Sequence, residues 1–236
     1  MKISLIIPAF NEEKRIGDCL DTALRSAGGM LHEVIVVDNA STDRTAEEAA
    51  KRAGVRVVRE DAKGVQHARQ RGFREATGDL LAYLDADTRM PAGWCEQVLD
   101  EFERDPNLAC ISGPYAYYDI PRWQQFLVRI YWHLAMPLYF MIGYMAVLGN
   151  LAIRRDVLEK MGGFDTSIDF YGDDTDTSRR AAQFGAMKFI PSLVMETSGR
   201  RLSGQGLLKT AFTYALNFFS EAVLHRPATP KHEDIR

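Results

Sequence analysis

The sequence predicts an α/β protein with a mostly parallel central sheet flanked by helices. Through the first half of the chain, short apolar runs that suit buried strands alternate with longer segments whose apolar residues recur at helical spacing. The strand runs are continuously apolar, which indicates a sheet covered on both faces. With 236 residues, 46 % of them hydrophobic, the chain can bury a full core.

The elements of the first half follow from local signals. Pro8 ends the first apolar run, the Gly28-Gly29 pair ends the first helical pattern, and Ser41 or Thr42 is placed to cap the second helix. The predicted strands span 3–7, 34–37, 55–58 and 80–84, and the helices between them span 12–26, a segment ending near 53, and 66–76.

Composition and charge exclude some classes of function. The net charge of −3 gives no basic excess that would favour nucleic acid as a partner. Three scattered cysteines without metal-ligand spacing argue against a disulfide framework and fit a reducing compartment. The apolar run at the start is too short for a secretory signal, so we expect a cytoplasmic location.

Acidic or polar residues follow three of the four predicted strands. In a parallel sheet the carboxyl ends of the strands meet at one edge, where ligands bind. The sequence therefore predicts a binding site built from Asn11-Glu12, Asp38-Asn39 and Asp85-Ala86-Asp87.

Asp85 and Asp87 are the strongest local feature. Strand alternation would point both side chains the same way. Two hard oxygen ligands suit Mg²⁺ or Mn²⁺, which would also hold substrate phosphates. The alternative is a solvated turn, because an isolated Asp-x-Asp pair is common.

Three other segments carry a functional and a structural interpretation side by side. Residues 38–43 can bind a base or ribose, and they can equally form a helix N-terminus. Lys63-Gly64 and Arg69 suit a diphosphate or a solvated, charged helix. Arg200-Arg201, in a glycine-containing loop, suits a phosphate or a surface turn.

A second acidic cluster lies at 172–176 and begins a predicted helix that ends at Gly185. The helix dipole favours acids in the first turn, which is the structural interpretation. Three acids in four residues exceed what capping requires. A carboxylate here could act as a general base.

Taken in order, these segments resemble the family 2 glycosyltransferases with the nucleotide-diphospho-sugar transferase (GT-A) fold. The similar segments are 4–12, 38–45, 64–79, 85–87, 149–165 and 172–185. Two positions depart from the family pattern: Asp173 stands where the family often has Glu, and Asn39 stands where many members carry a second acid.

The resemblance implies a GT-A Rossmann-like domain and a role for each matching residue. Asp174 would be the catalytic base, Asp87 would ligate Mn²⁺ or Mg²⁺, and the acceptor side would include Gly149, Asn150, Asp173 and Asp176. The nucleotide-sugar donor would contact Pro8, Ala9, Phe10, Glu12, Asp38, Arg69, Asp85 and Ala86, and the local residue patterns add Lys63, Arg200 and Arg201.

The implied reaction moves a sugar from a nucleotide diphosphate sugar to an acceptor hydroxyl, with inversion and no covalent intermediate. A UDP-sugar is the favoured donor, and the acceptor is a sugar or a lipid-linked molecule of the kind used for cell-envelope polysaccharide. One alternative is a non-catalytic nucleotide-sugar binding module. Another is a sugar nucleotidyltransferase, which should carry a Gly-rich loop where this chain has residues 9–12.

The domain prediction places the catalytic domain at 1–201, a C-terminal helix at 202–225 and a flexible tail at 226–236. The apolar run 126–148 is long enough to span a bilayer, but Arg129, His133 and Pro137 interrupt it. We expect this run to be buried or to line the acceptor site, and a shallow contact with a membrane is the remaining alternative. The apolar residues of 206–225 leave three interpretations open: packing on the domain, a homo-oligomer interface, or peripheral contact with the inner face of a membrane.

Overall fold

The computed structural model describes residues 1–168 and 172–205, together with residues 213, 216 and 220. Seven strands form the main sheet, in the order β3-β2-β1-β4-β8-β6-β9. Their bounds are β1 Ile3–Ala9, β2 Leu31–Asp38, β3 Val55–Arg59, β4 Leu80–Leu84, β6 Leu108–Ser112, β8 Asn150–Arg154 and β9 Ala186–Phe189.

Six helices flank or connect these strands. Their bounds are α1 Ile16–Ser26, α2 Thr45–Ala50, α3 Val65–Glu75, α4 Trp94–Arg104, α6 Arg155–Met161 and α7 Asp173–Ala181. The sheet buries both faces. Side chains of β1 show this, because Leu5 and Ile7 join the core beneath α1 and α4 whereas Ile6 joins the core beneath α3 and α6. A Cβ at Gly72 of α3 would collide with Ile6, so glycine lets this helix lie close to the sheet.

One strand of the main sheet runs against its neighbours. Strands β3, β2, β1 and β4 are parallel, whereas β8 pairs antiparallel with both β4 and β6. Leu84 at the end of β4 is therefore paired with Asn150 at the start of β8. This brings the segment just before β8 to the edge where β1, β2 and β4 end, hereafter the carboxyl edge.

A second, smaller sheet packs beside the carboxyl edge. It contains β5 Thr88–Arg89, β7 Tyr115–Tyr117 and β10 Met195–Thr197, in the order β5-β10-β7. Two further helices complete the described elements: α5 Arg122–Ile142, which follows β7, and α8 Arg200–Gln205, which follows β10.

The predicted class of fold is confirmed, and the four predicted strands of the first half are present within a few residues of their expected bounds. Two local predictions were wrong. Neither Ser41 nor Thr42 caps α2, since its N-cap is Arg44 and the two earlier side chains bond to the loop after β1 instead. Strand alternation does not orient Asp85 and Asp87, because β4 ends at Leu84 and a turn follows, closed by Thr88 N–H and the Asp85 carbonyl.

Burial, one of the interpretations of 126–148, does not hold for most of α5, whereas acceptor lining and shallow membrane contact stay predictions. Large apolar side chains of this helix face solvent, among them Phe126 and Leu134. None of the helices within the described residues is long and apolar enough to cross a membrane. The predicted C-terminal helix and tail fall almost entirely outside the residues described.

Candidate active site

The loops after β1 and β2 are joined by reciprocal hydrogen bonds. Asn11 N–H donates to Ser41 Oγ at 3.0 Å, and Thr42 N–H donates to Asn11 Oδ1 at 2.9 Å. Glu12 N–H donates to Thr45 Oγ1 at 2.7 Å. Asn11 and Ala40 both adopt a left-handed backbone, with φ of 54° and 57°, which is uncommon outside glycine. The two loops therefore act as one rigid wall of the carboxyl edge.

Asp38 and Asn39, at the end of β2, have separate partners. The Asp38 carboxylate accepts a hydrogen bond from Arg59 Nη1 at 2.6 Å. Asn39 uses both ends of its carboxamide: Nδ2 donates to the carbonyls of Glu60 and Ala62, and Oδ1 accepts from Gly64 N–H. Asn39 thus fixes the loop that carries Lys63. That lysine lies over the Phe10 ring, with Nζ 5.4 Å from the ring centroid.

Asp85 is held between a tyrosine and an arginine. Tyr115 donates its hydroxyl hydrogen to Asp85 Oδ2 at 2.8 Å, and Arg69 Nη2 lies 3.6 Å from Asp85 Oδ1. Gly149 approaches this pair so closely that a Cβ would collide with the Tyr115 hydroxyl and the Asp85 carboxylate. A glycine is therefore required where the segment before β8 passes the end of β4.

Asp87 faces a cation supplied by the start of α8. Arg200 Nη2 lies 3.0 Å from Asp87 Oδ2, and the same guanidinium is bonded to both carboxylate oxygens of Glu12. Burial raises the pKa of Asp87 to about 6; Arg200 opposes that rise and Asp85 adds to it. Two carboxylates, one from the loop after β1 and one from the turn after β4, thus converge on one guanidinium.

This arrangement fits a divalent cation that also binds phosphate oxygens. No three His, Cys, Asp or Glu side chains within 1–168 and 172–205 form a ready-made metal cage. Mg²⁺ in nucleotide sites is typically held by only one or two carboxylates plus substrate phosphates. Asp87 suits such a site because its carboxylate is nearly buried and already pairs with the guanidinium of Arg200.

Arg69 joins the β4 turn to the start of α7. Its guanidinium is buried, with Nη1 2.7 Å from Asp173 Oδ2 and Nη2 close to Asp85. Gln66 Nε2 also donates to Asp173 Oδ2, at 2.9 Å. Burial raises the pKa of Asp173, and the Arg69 guanidinium opposes this rise. Arg69 therefore holds two acidic segments together, a role different from the predicted donor contact.

Asp174 follows Asp173 and remains partly accessible. Leu148 N–H donates to Asp174 Oδ1 at 2.8 Å, which connects α7 to the segment before β8. Burial raises the pKa of Asp174 to about 8; the neighbouring Asp173 adds to this rise and Arg69 opposes it. A carboxyl with its pKa near neutrality is suited to taking and giving protons.

Two predicted acceptor-side residues have structural roles instead. Asp176 is buried and pairs with Arg179 and Arg180 on its own helix. Asn150 is fully buried: its Oδ1 accepts from Trp94 Nε1 at 2.9 Å, and its Nδ2 donates to the Leu193 carbonyl at 2.7 Å. Both side chains are therefore committed to protein partners.

The remaining predicted donor residues lie at or beside the carboxyl edge. Pro8 and Ala9 are the last residues of β1, Ala86 is buried in the turn after β4, and Arg201 follows Arg200 in α8. A cavity of about 300 Å³ lies between the loops after β1 and β2 and the start of α8, lined by Asn11, Glu12, Glu13, Lys14, Arg15, Thr42, Asp43 and Arg200.

The sequence analysis missed three residues that shape this site. Tyr115 and Gln66 hold Asp85 and Asp173, and Asp119 holds the loop before α8 by accepting from Ser198 Oγ at 2.6 Å. Each acts on a residue at least 30 positions away in the chain. No local motif marks them, so only the fold reveals their roles.

Comparison with known proteins places the chain in a family. The family model described as "Glycosyl transferase family 2" matches residues 4–162, more than half of the chain. The chain therefore belongs to glycosyl transferase family 2. It is similar to a dolichol-phosphate mannosyltransferase of Pyrococcus furiosus, with 29 % identity over 173 residues that cover 67 % of this chain and 48 % of the relative. The chain spans about half the length of the curated relatives it matches.

Solved structures support the GT-A fold. A mannosyltransferase from Pyrobaculum calidifontis, solved with GDP-Man and Mn²⁺, aligns with a TM-score of 0.72 and 23 % identity over 97 % of this chain and 66 % of that one. Glucosyl-3-phosphoglycerate synthase from Mycobacterium tuberculosis, solved with Mn²⁺, UDP and phosphoglyceric acid, aligns with a TM-score of 0.61 and 22 % identity over 98 % and 80 %.

Proposed function

We propose that this protein transfers a sugar from a nucleotide diphosphate sugar to a hydroxyl group of its acceptor, with inversion of the anomeric carbon. The observation that carries the proposal is the bridge made by Arg69, which ties Asp85 after β4 to Asp173 at the start of α7. Acids 88 positions apart in the chain (173 − 85) thereby serve one site, as a displacement between two bound substrates requires.

The donor is assigned to the wall formed by the loops after β1 and β2. Asp38, Phe10 and Glu12 are assigned to the nucleoside, and Arg200, which bonds Glu12, is assigned to its diphosphate. Asp87 is assigned to Mn²⁺ or Mg²⁺, which would neutralise charge on the leaving diphosphate. Relatives solved with Mn²⁺ and a nucleotide or nucleotide sugar support this assignment.

Asp174 is assigned as the general base. The hydrogen bond from Leu148 N–H fixes Asp174 Oδ1. Oδ2 is assigned to take the proton from the acceptor hydroxyl while the hydroxyl oxygen attacks the anomeric carbon. Tyr115 and Gly149 border the position assigned to the acceptor. A UDP-sugar as donor, and a hydroxyl group of a sugar or lipid-linked molecule of the cell envelope as acceptor, complete the proposal; the dolichol-phosphate relative supports the lipid-linked class.

Replacement of Asp174 by Asn tests this assignment. We expect the variant to bind donor with unchanged affinity and to transfer sugar on the order of 10² to 10⁴ times more slowly, the usual effect of losing a general base. Calorimetry measures donor binding and a coupled assay for released nucleotide measures turnover. Asp156→Asn, an exposed change on α6, is the matched control. Near-normal turnover by Asp174→Asn would remove this residue from the base role.

A further inference from the structure

Helix α5 exposes a continuous stripe of large apolar side chains. The α5 stripe consists of Trp123, Phe126, Leu127, Ile130, Leu134 and Met141, which are between 40 % and 83 % exposed. Their spacing places all six on one face of the helix. A stripe of this size on a soluble surface marks an interaction site.

The opposite face of α5 is attached to the domain. Trp132 Nε1 donates to the Tyr115 carbonyl at 3.0 Å, and its ring stacks on Phe189 with centroids 5.5 Å apart. Tyr139 donates its hydroxyl hydrogen to the Met187 carbonyl at 2.9 Å. The helix is therefore docked by one face, and the α5 stripe points away from the core that it covers.

The charges around the α5 stripe favour an anionic partner. Arg122 and Arg129 are exposed on the same helix, adjacent to one side of the stripe. The sequence from 120 to 155 contains no Asp or Glu, although the whole chain carries a net charge of −3. A second copy packed antiparallel on the same face would bring arginines towards arginines. A bilayer with anionic headgroups complements both the apolar stripe and the arginines.

We propose that α5 docks this protein on an anionic phospholipid bilayer, with the α5 stripe in the boundary between headgroups and acyl chains. Docking itself does not depend on the proposed sugar transfer. If both proposals hold, docking through α5 places the acceptor-binding part of the site next to the membrane. The inner face of α5 contacts Tyr115, which bonds Asp85, and the chain after α5 supplies Leu148, which bonds Asp174.

Vesicle binding without donor tests the proposal separately from catalysis. The full-length protein should sediment with vesicles of phosphatidylcholine and phosphatidylglycerol, and should remain largely in solution with phosphatidylcholine alone. Leu134→Glu should lower the partition coefficient about ten-fold or more, because it places a charge in the stripe. Arg122→Glu/Arg129→Glu should lower it about ten-fold or more through lost attraction to the headgroups. All of these side chains are exposed, so the fold should persist, as circular dichroism can verify.

Matched controls separate the α5 stripe from general effects. Phe184→Glu adds a charge at an exposed aromatic residue outside α5, and Arg25→Glu/Arg104→Glu makes the same charge change on other helices; both should bind like the parent. Brominated acyl chains should quench the tryptophan fluorescence of the parent, and Trp123→Phe should lose most of that quenching.

Three results would overturn the proposal. The first is a parent protein that stays in solution with anionic vesicles. The second is Leu134→Glu binding as tightly as Phe184→Glu. The third is a parent dimer in analytical ultracentrifugation that Leu134→Glu converts to a monomer without any vesicle binding, which would assign the stripe to a second copy. If the first result were found together with intact sugar transfer to a water-soluble acceptor, membrane docking would be rejected and the proposed reaction would stand.

Discussion

The side-chain amide nitrogen of Asn39 holds the loop after β3 in place. Its Nδ2 donates to the carbonyls of Glu60 and Ala62, a role that a carboxylate cannot perform. Asn39→Asp would place a buried negative charge against two carbonyl oxygens. We expect the free energy of unfolding to fall by about 1–3 kcal/mol, the usual cost of a buried polar group without its partner. Urea denaturation measures this. Asn107→Asp, at an exposed site, should change stability by less than about 0.5 kcal/mol.

The titration of Asp174 predicts a pH dependence for sugar transfer. A general base acts when deprotonated, so kcat/KM should rise as pH increases through the pKa of Asp174, which burial raises to about 8, and level off above it. Asp173→Asn removes the neighbouring negative charge that also raises this pKa. The acid limb of the profile should then shift to lower pH. An unshifted limb in the variant would show that another group controls the profile.

At the scale of elements, the start of α8 supplies a guanidinium to the carboxylates at the ends of β1 and β4. Arg200 bonds Glu12 and lies 3.0 Å from Asp87, so it occupies the carboxylate that we assign to metal. Arg200→Met should therefore raise the affinity for Mn²⁺ alone, as read by electron paramagnetic resonance. It should lower the affinity for nucleoside diphosphate in the presence of Mn²⁺ about ten-fold, through loss of a charge-assisted hydrogen bond.

A matched change on another element controls for charge in the Arg200 experiment. Arg104→Met removes an exposed arginine at the end of α4, which pairs with Asp100 and Glu101, and should leave both affinities unchanged. If Arg200→Met also left Mn²⁺ binding unchanged, the ion pair with Asp87 would not compete with the metal. The assignment of Asp87 as the ligand would then lose its main support.

The elements that could be predicted from sequence are those with local signals. Each of the first four strands contains a mostly apolar run, and each predicted run lies within the observed bounds of its strand. The acids after β1, β2 and β4 could be grouped from the sequence because parallel strands end at one edge. The sequence does not indicate that β8 is antiparallel, because its apolar run looks like that of a parallel strand. The approach of Gly149 to Asp85 depends on that reversal, so it could not be foreseen.

The surroundings of helix α5 could not be decided from the sequence, for a different physical reason. An apolar segment signals removal from water, but the signal does not distinguish burial inside the domain from burial against a partner. Phe126 and Leu134 are exposed, whereas Val128 and Trp132 pack inward.

The contacts of Arg69 could not be predicted from its neighbours in the sequence. Its carboxylate partners lie 16 and 104 positions away in the chain, whereas the local residues suggested contact with a phosphate.

At the scale of the whole molecule, donor binding should stabilise the fold by mass action. A nucleotide sugar at 100 times its Kd adds about 2.7 kcal/mol to the free energy of unfolding. For a chain of this size, that corresponds to a rise in Tm of about 5–10 °C. A thermal-shift screen of UDP- and GDP-sugars, each with and without Mn²⁺, would identify the nucleotide of the donor by the larger rise in Tm.

Because Asp87 is assigned to the metal, Asp87→Ala should abolish the increase in Tm that Mn²⁺ adds while keeping any metal-independent increase. An equal rise with and without Mn²⁺ in the parent would contradict a metal-bridged diphosphate and would move donor recognition to Arg200 and the loops after β1 and β2.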